Sequence, residues 1–133
     1  MSEPIFLAHD EVLTMHRMSM ERFGGTHGLR DEGGFASAVE QPKNTFYYGN
    51  RDLFDCAAAY AFHTAQAQAF LDGSKRTAVA AALAFLKRNN VDVLFDWTPY
   101  DDAMIGIAEP RLDKPGLVQQ LRERARQQGW NGA

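Results

Sequence analysis

A chain of 133 residues with 45% hydrophobic and 23% charged residues reads as one globular domain with a single continuous core. Its net charge of -3 excludes a global basic field for nucleic acid, and its lone cysteine, Cys56, excludes an internal disulfide and most cysteine metal sites. The start Met1-Ser2-Glu3-Pro4 has no positive n-region, and no window approaches the ~18 apolar residues of a membrane span, so a cytoplasmic protein without membrane contact is expected.

Ile5-Phe6-Leu7 is a short apolar lead-in, either one strand or a staple before a helix. From about His9 to Phe23, the positions Val12, Met15, Ser19 and Phe23 follow helical spacing, and Gly24-Gly25 ends the helix. His9 and His16 lie on it seven residues apart, with no third metal ligand nearby, so surface or capping roles are expected for both. Asp31 suits the N-cap of a short helix that Pro42 closes at about Gln41. In Lys43 to Arg51, aromatic and β-branched residues precede Gly49-Asn50, which predicts an extended, β-like flap or hairpin. Its aromatics Phe46, Tyr47 and Tyr48 either close over a ligand or target peptide, or simply cap the core.

Asp52 to about Ala67 is an alanine-rich helix, and alanine on several sides places it centrally in a bundle. Cys56 there is a small core filler. A second alanine-rich helix runs from about Ser74 to Asn89, with Val79, Ala82, Leu83 and Leu86 as its buried stripe. Val91 to Phe95 is a short extended stretch, and Thr98-Pro99 opens a helix that halts at Pro110. Asp113 caps a last helix, with Leu117, Val118, Leu121 and Ala125 inward and Arg122, Glu123, Arg124 and Arg126 on a solvated face. Trp130 tucks back onto the bundle. The expected fold is all-α, with about six helices and a short flap before the central helix.

Between the alanine-rich helices lies Gln68-Ala69-Phe70-Leu71-Asp72-Gly73-Ser74-Lys75-Arg76-Thr77-Ala78. A turn feeding a helix N-terminus collects unpaired N–H groups and a partial positive charge, which together favour an anion. Gly73 allows close backbone approach, Arg76 can grip phosphate oxygens bidentately, and Lys75 adds a point charge. Asp72 could hold a Mg²⁺ that bridges phosphates, and Phe70 is the apolar anchor of the turn. An ordinary interhelical loop with a basic helix start is the competing reading.

The order and spacing of this stretch resemble the signature of the Fic/Doc (Fido) family, His-x-Phe-x-Asp/Glu-Gly/Ala-Asn-Lys/Gly-Arg, with Thr-Ala following in its Doc, or death-on-curing, branch. The helix ending in Phe23-Gly24-Gly25, the Gly28-Leu29-Arg30-Asp31 element, the Phe-Tyr stretch, Asp52-Leu53-Phe54 and Ala84-Phe85-Leu86 extend the likeness over the whole chain. The resemblance implies a Fido-type helical bundle that moves a phosphate-containing group from ATP or another nucleotide to a hydroxyl of a protein target. Most members transfer AMP, whereas the Doc branch phosphorylates a threonine of the translation elongation factor Tu. Carried over by position, Asp72 binds Mg²⁺, Gly73 belongs to the anion loop, and Lys75 and Arg76 contact phosphates. Val79 stands where AMP-transferring members carry a second arginine.

Two positions depart from the signature. Gln68 replaces the histidine that acts as general base, and Ser74 replaces the asparagine. A glutamine amide has no site that takes a proton near pH 7, and losing a general base costs typically ~10²–10⁴ in rate. Serine keeps one hydrogen bond but not the two-ended amide contact. His63, five residues before Gln68 and about 140° round a helix from it, is not expected to point into the same site. The readings left open are a Doc-like toxin active through a divergent site, a member that binds nucleotide or partner without turnover, and an interaction module with an idle anion site. No serine or threonine is followed by glutamate four residues later, so the internal inhibitory motif of some relatives is lacking, and a separate Phd-like antitoxin is the implied restraint.

Overall fold

The structure, a computed structural model of the chain, describes residues 3–49, 52–94 and 113–132. It contains α1 (His9–Phe23), α2 (Glu32–Tyr48), α3 (Leu53–Ala67), α4 (Ser74–Arg88) and α5 (Lys114–Gln127), with no strand longer than a single bridge among the described residues. The all-α class holds. The helix expected over Thr98 to Pro110 lies outside the described residues, as does Phe95.

Residue chemistry sets the helix ends. Asp31, Asp52 and Asp113 each accept a hydrogen bond from a first-turn amide of α2, α3 and α5, the contact that satisfies an otherwise orphaned donor. At α1, the Ala8 N–H donates to the Glu11 carboxylate at 2.9 Å, and Arg88 of α4 grips the same carboxylate from outside. Those bonds hold Glu11 down to about 2.

α3 is central and packs on α2, α4 and α5, while α1 reaches α4. Cys56, Ala57, Ala58 and Ala59 on α3 and Ala78, Ala81 and Ala82 on α4 are all fully buried, so small side chains let the backbones approach closely. Burial pushes the Cys56 thiol up to about 12, consistent with an inert filler. Rings of Phe6, Tyr60 and Phe85 close one end of the core, where the Tyr60 hydroxyl accepts from the Leu7 N–H at 2.8 Å. Residues 5–7 form no strand.

Two expectations fail at α2. Pro42 does not close it, and residues 43–48 are helical rather than an extended flap. An interior proline removes one helix hydrogen bond and crowds the preceding turn, a cost of ~3 kcal/mol. Here Phe35, Val39, Pro42 and Phe46 form one continuous buried stripe against the core, and burying that stripe outweighs the local cost. Phe46 is therefore a core residue, packed edge-on to Phe6 at 6.0 Å, while Tyr47 and Tyr48 sit exposed at the helix end.

α5 buries Leu117, Val118, Leu121 and Ala125 as expected, and Trp130 folds back edge-on to Phe54 at 4.8 Å. Arg122 does not belong to a solvated face. It donates to Asp52 at 2.6 Å and lies over the Phe54 ring, tying α5 to the start of α3.

His63 also faces α5. Lys114 donates to its Nε2 at 2.8 Å, and desolvation, helped by that cation, lowers the imidazole from 6.5 to about 4. A depressed histidine means the unfolded chain binds the proton first, so stability is full above pH 6.5 and falls as pH drops towards 4. The expected loss is about 2–3 kcal/mol for the partly buried ring. Chemical denaturation of wild type and His63→Gln across pH 7 to 4 checks this, and equal slopes for both proteins would refute it.

Candidate functional site

α3 ends on Gln68, whose backbone is left-handed at φ 46° and ψ 40°. That conformation is uncommon outside glycine and costs a non-glycine residue of order 1 kcal/mol. It turns the chain back so that residues 69–71 run antiparallel to Gly28–Arg30. Arg30 N–H donates to Ala69 at 2.7 Å, Leu71 N–H donates to Gly28 at 3.1 Å, and Leu29 bridges Phe70. The Arg30 guanidinium also donates to the Gln68 carbonyl at 2.6 Å, closing the turn from outside.

Phe70 is buried, with 3% of its surface exposed. Its ring stacks on His16 of α1 at 3.8 Å and meets Phe35 of α2 edge-on at 5.4 Å. The same His16 ring reaches past Phe70 to the Asp72 carbonyl at 2.7 Å. A carbonyl only accepts, so Nε2 carries the proton. One buried imidazole thus holds two positions of the turn. It is neither a surface nor a capping residue, unlike His9, which is exposed and pairs with Glu40 at 3.0 Å.

Gly73, at φ +78°, is the N-cap of α4 and offers no side chain to its amides. A Cβ there would stand 2.1 Å from the Met20 methyl carbon, so α1 packs directly on the turn. The Asp-capped helices α2, α3 and α5 have a carboxylate where α4 has none, which leaves the first-turn N–H groups of α4 without a side-chain cap. They open on a cavity of about 430 Å³. Gln68, Phe70 and Asp72 through Arg76 all line it, so the predicted turn residues come together in one place. Arg30 adds a cation at the rim. Phe46, Tyr47 and Tyr48 do not line it, and His63 is engaged by Lys114 on the other side of α3.

Within the cavity, the Asp72 Oδ2 accepts from the Thr26 N–H at 3.2 Å, and Gly25 lies close by. A hard cation such as Mg²⁺ takes one or two carboxylates together with phosphate oxygens, and an exposed carboxylate beside open amides fits that donor set. Among the described residues no group of three or more His, Cys, Asp or Glu gathers, so the ligand's own oxygens would complete the shell. Arg76 lays its guanidinium over the Phe23 ring at 4.5 Å, and its Nε is buried with no hydrogen-bond partner among the described residues. Lys75 is exposed.

The sequence profile of the Fic/DOC family matches residues 6–86, which span α1 to α3, the whole turn and all but the last two residues of α4. The chain belongs to the Fic/DOC family. Its relatives include the protein kinase doc of Escherichia phage P1, 32% identical over 117 residues that cover 87% of this chain and 92% of that protein. Toxin Doc of Mycolicibacterium smegmatis is 35% identical over 120 residues, covering 87% and 90%. These likenesses identify a Doc-type member within the Fic/DOC family.

Three participants of this Fic/DOC site escaped the reading of the turn alone: Arg30, His16 and Phe23. Arg30 lies 38 residues from Gln68, and His16 lies 56 from Asp72. No periodic pattern reports contacts of that range, although Arg30 sits inside an element that carries the family likeness.

Proposed function

We propose that this protein is a Doc-like member of a toxin family that binds ATP or another nucleotide by its phosphates at the α3–α4 turn, with transfer to a protein hydroxyl impaired by Gln68. The observation that supports the reading is that Gln68, at the motif position of the general base, lines one cavity together with Asp72, Gly73, Ser74, Lys75 and Arg76. Open amides, a guanidinium and an ammonium attract phosphate oxygens, and Asp72 would hold a Mg²⁺ whose charge offsets theirs. Gln68 can orient a hydroxyl through its amide oxygen but cannot remove the proton, so the acceptor stays a weak nucleophile. Ser74 supplies one hydroxyl contact.

The hydroxyl acceptor would belong to a protein such as a translation factor, and a Phd-like antitoxin would be the restraining partner. Both place the protein in the cytoplasm, and no described helix is long and apolar enough to cross a membrane. A second reading, a non-catalytic Fido pseudoenzyme acting as an interaction module, is favoured by the same glutamine.

Calorimetric titration with MgATP tests the binding claim. Wild type is expected to bind, and Arg76→Ala to bind roughly 10–100-fold more weakly, the worth of a charge-assisted contact of ~1.5–3 kcal/mol. Absence of binding to wild type would replace the nucleotide reading with the interaction-module one.

A further inference from the structure

Beside the phosphate cavity lies a second one, of about 480 Å³, where α1 and α4 diverge. Met15, Met18, Ser19, Glu21, Arg22 and Phe23 line it from α1, and Arg76 and Ala80 from α4. The spacing puts Met15, Met18, Ser19 and Phe23 on one helical face, and Arg76 and Ala80 one turn apart on the facing helix. Its walls are mainly apolar, whereas the phosphate cavity is mainly polar. Arg76 belongs to both, with its guanidinium plane over Phe23 marking the border between them.

The walls change from apolar to polar at Arg76, and a ligand with an apolar plane and an anionic tail matches that change.

We infer that the α1–α4 cleft takes the base of the nucleotide whose phosphates enter the adjoining cavity, so that one ligand passes across Arg76. This rests on the nucleotide reading proposed above and specifies where the rest of the molecule lies. The anionic end meets Arg30, Lys75, Arg76 and the α4 amides, and the flat end meets Met15, Phe23 and Ala80, where Glu21 and Arg22 also line the cleft. Each volume falls within the ~300–1,000 Å³ typical of small-molecule sites. A guanidinium stacks on a base as readily as on a phenyl ring.

Paired titrations with MgATP and with magnesium tripolyphosphate, which lacks base and sugar, test the assignment. Wild type is expected to bind ATP at least tenfold more tightly than tripolyphosphate. Ala80→Leu, which fills the cleft, should bring ATP down to the tripolyphosphate level while tripolyphosphate binding stays unchanged. Met18→Ser trims an exposed wall residue and should reduce the ATP advantage about threefold, which decides the matter if the leucine variant does not fold. Equal wild-type affinity for both ligands, or a leucine variant that weakens both equally, would overturn the base site and leave phosphate binding standing. Binding of neither ligand to wild type would remove both proposals together.

Discussion

Gln68→His is expected to raise transfer from ATP by roughly 10²–10⁴-fold over wild type, the usual contribution of a positioned general base. The backbone at position 68 is held independently of its side chain, by its N–H to Ala65 at 3.3 Å and by the Arg30 guanidinium on its carbonyl at 2.6 Å. Its left-handed geometry suits histidine at least as well as glutamine, because histidine is enriched in that region. The exchange therefore alters proton chemistry without remaking the turn. Lysates incubated with γ-labelled and with α-labelled ATP read the result, the first reporting phosphate transfer and the second AMP transfer. Val79, in place of the second arginine of AMP-transferring relatives, leads us to expect the γ label. Wild-type labelling equal to that of the variant would show that Gln68 does not limit the reaction.

Phe70→Ala should cost about 3–5 kcal/mol, the range for removing a buried phenylalanine from a packed site. Against a total stability of ~5–15 kcal/mol for a domain, that loss leaves a marginal fold. The ring is 3% exposed and touches His16 and Phe35, so its removal opens a void where α1, α2 and the turn meet. His16 would lose the surface that holds its ring flat and with it the aim of its bond to the Asp72 carbonyl. Urea denaturation measures the first effect. Phe70→Leu separates packing from ring stacking, since it should recover more than half of the loss by refilling volume alone. A loss below about 1 kcal/mol for the alanine variant would mean that the turn is held by its backbone bonds and not by Phe70.

Much of this molecule is legible in short stretches of its sequence. Gly24-Gly25 ends α1, the aspartates at 31, 52 and 113 start α2, α3 and α5, and the apolar spacing of α5 matches the face it buries, whereas α4 buries Val79, Ala82 and Leu86 as expected but leaves Leu83 partly exposed and buries Phe85 instead. Each of those signals acts within one or two helical turns, so residues near one another in the chain suffice to read it. The turn proposed to bind phosphate is legible for the same reason, because its cations, its glycine and its carboxylate lie within five residues.

What the tertiary structure alone decided lies where distant segments compete with local preference or meet across the fold. Pro42 is a helix breaker by local chemistry, yet α2 continues through it because the stripe from Phe35 to Phe46 is buried on neighbouring helices. The aromatics that looked like a flap became core and helix end through the same burial. Likewise the turn from Gln68 to Arg76 carries the groups proposed to hold phosphate, but the residues that aim it come from elsewhere. His16 and Met20 of α1 press on it, Thr26 holds its carboxylate, and Arg30 closes its rim. Local chemistry determined which groups the turn offers; packing between segments dozens of residues apart determined its shape and opened the apolar cleft on the far side of Arg76.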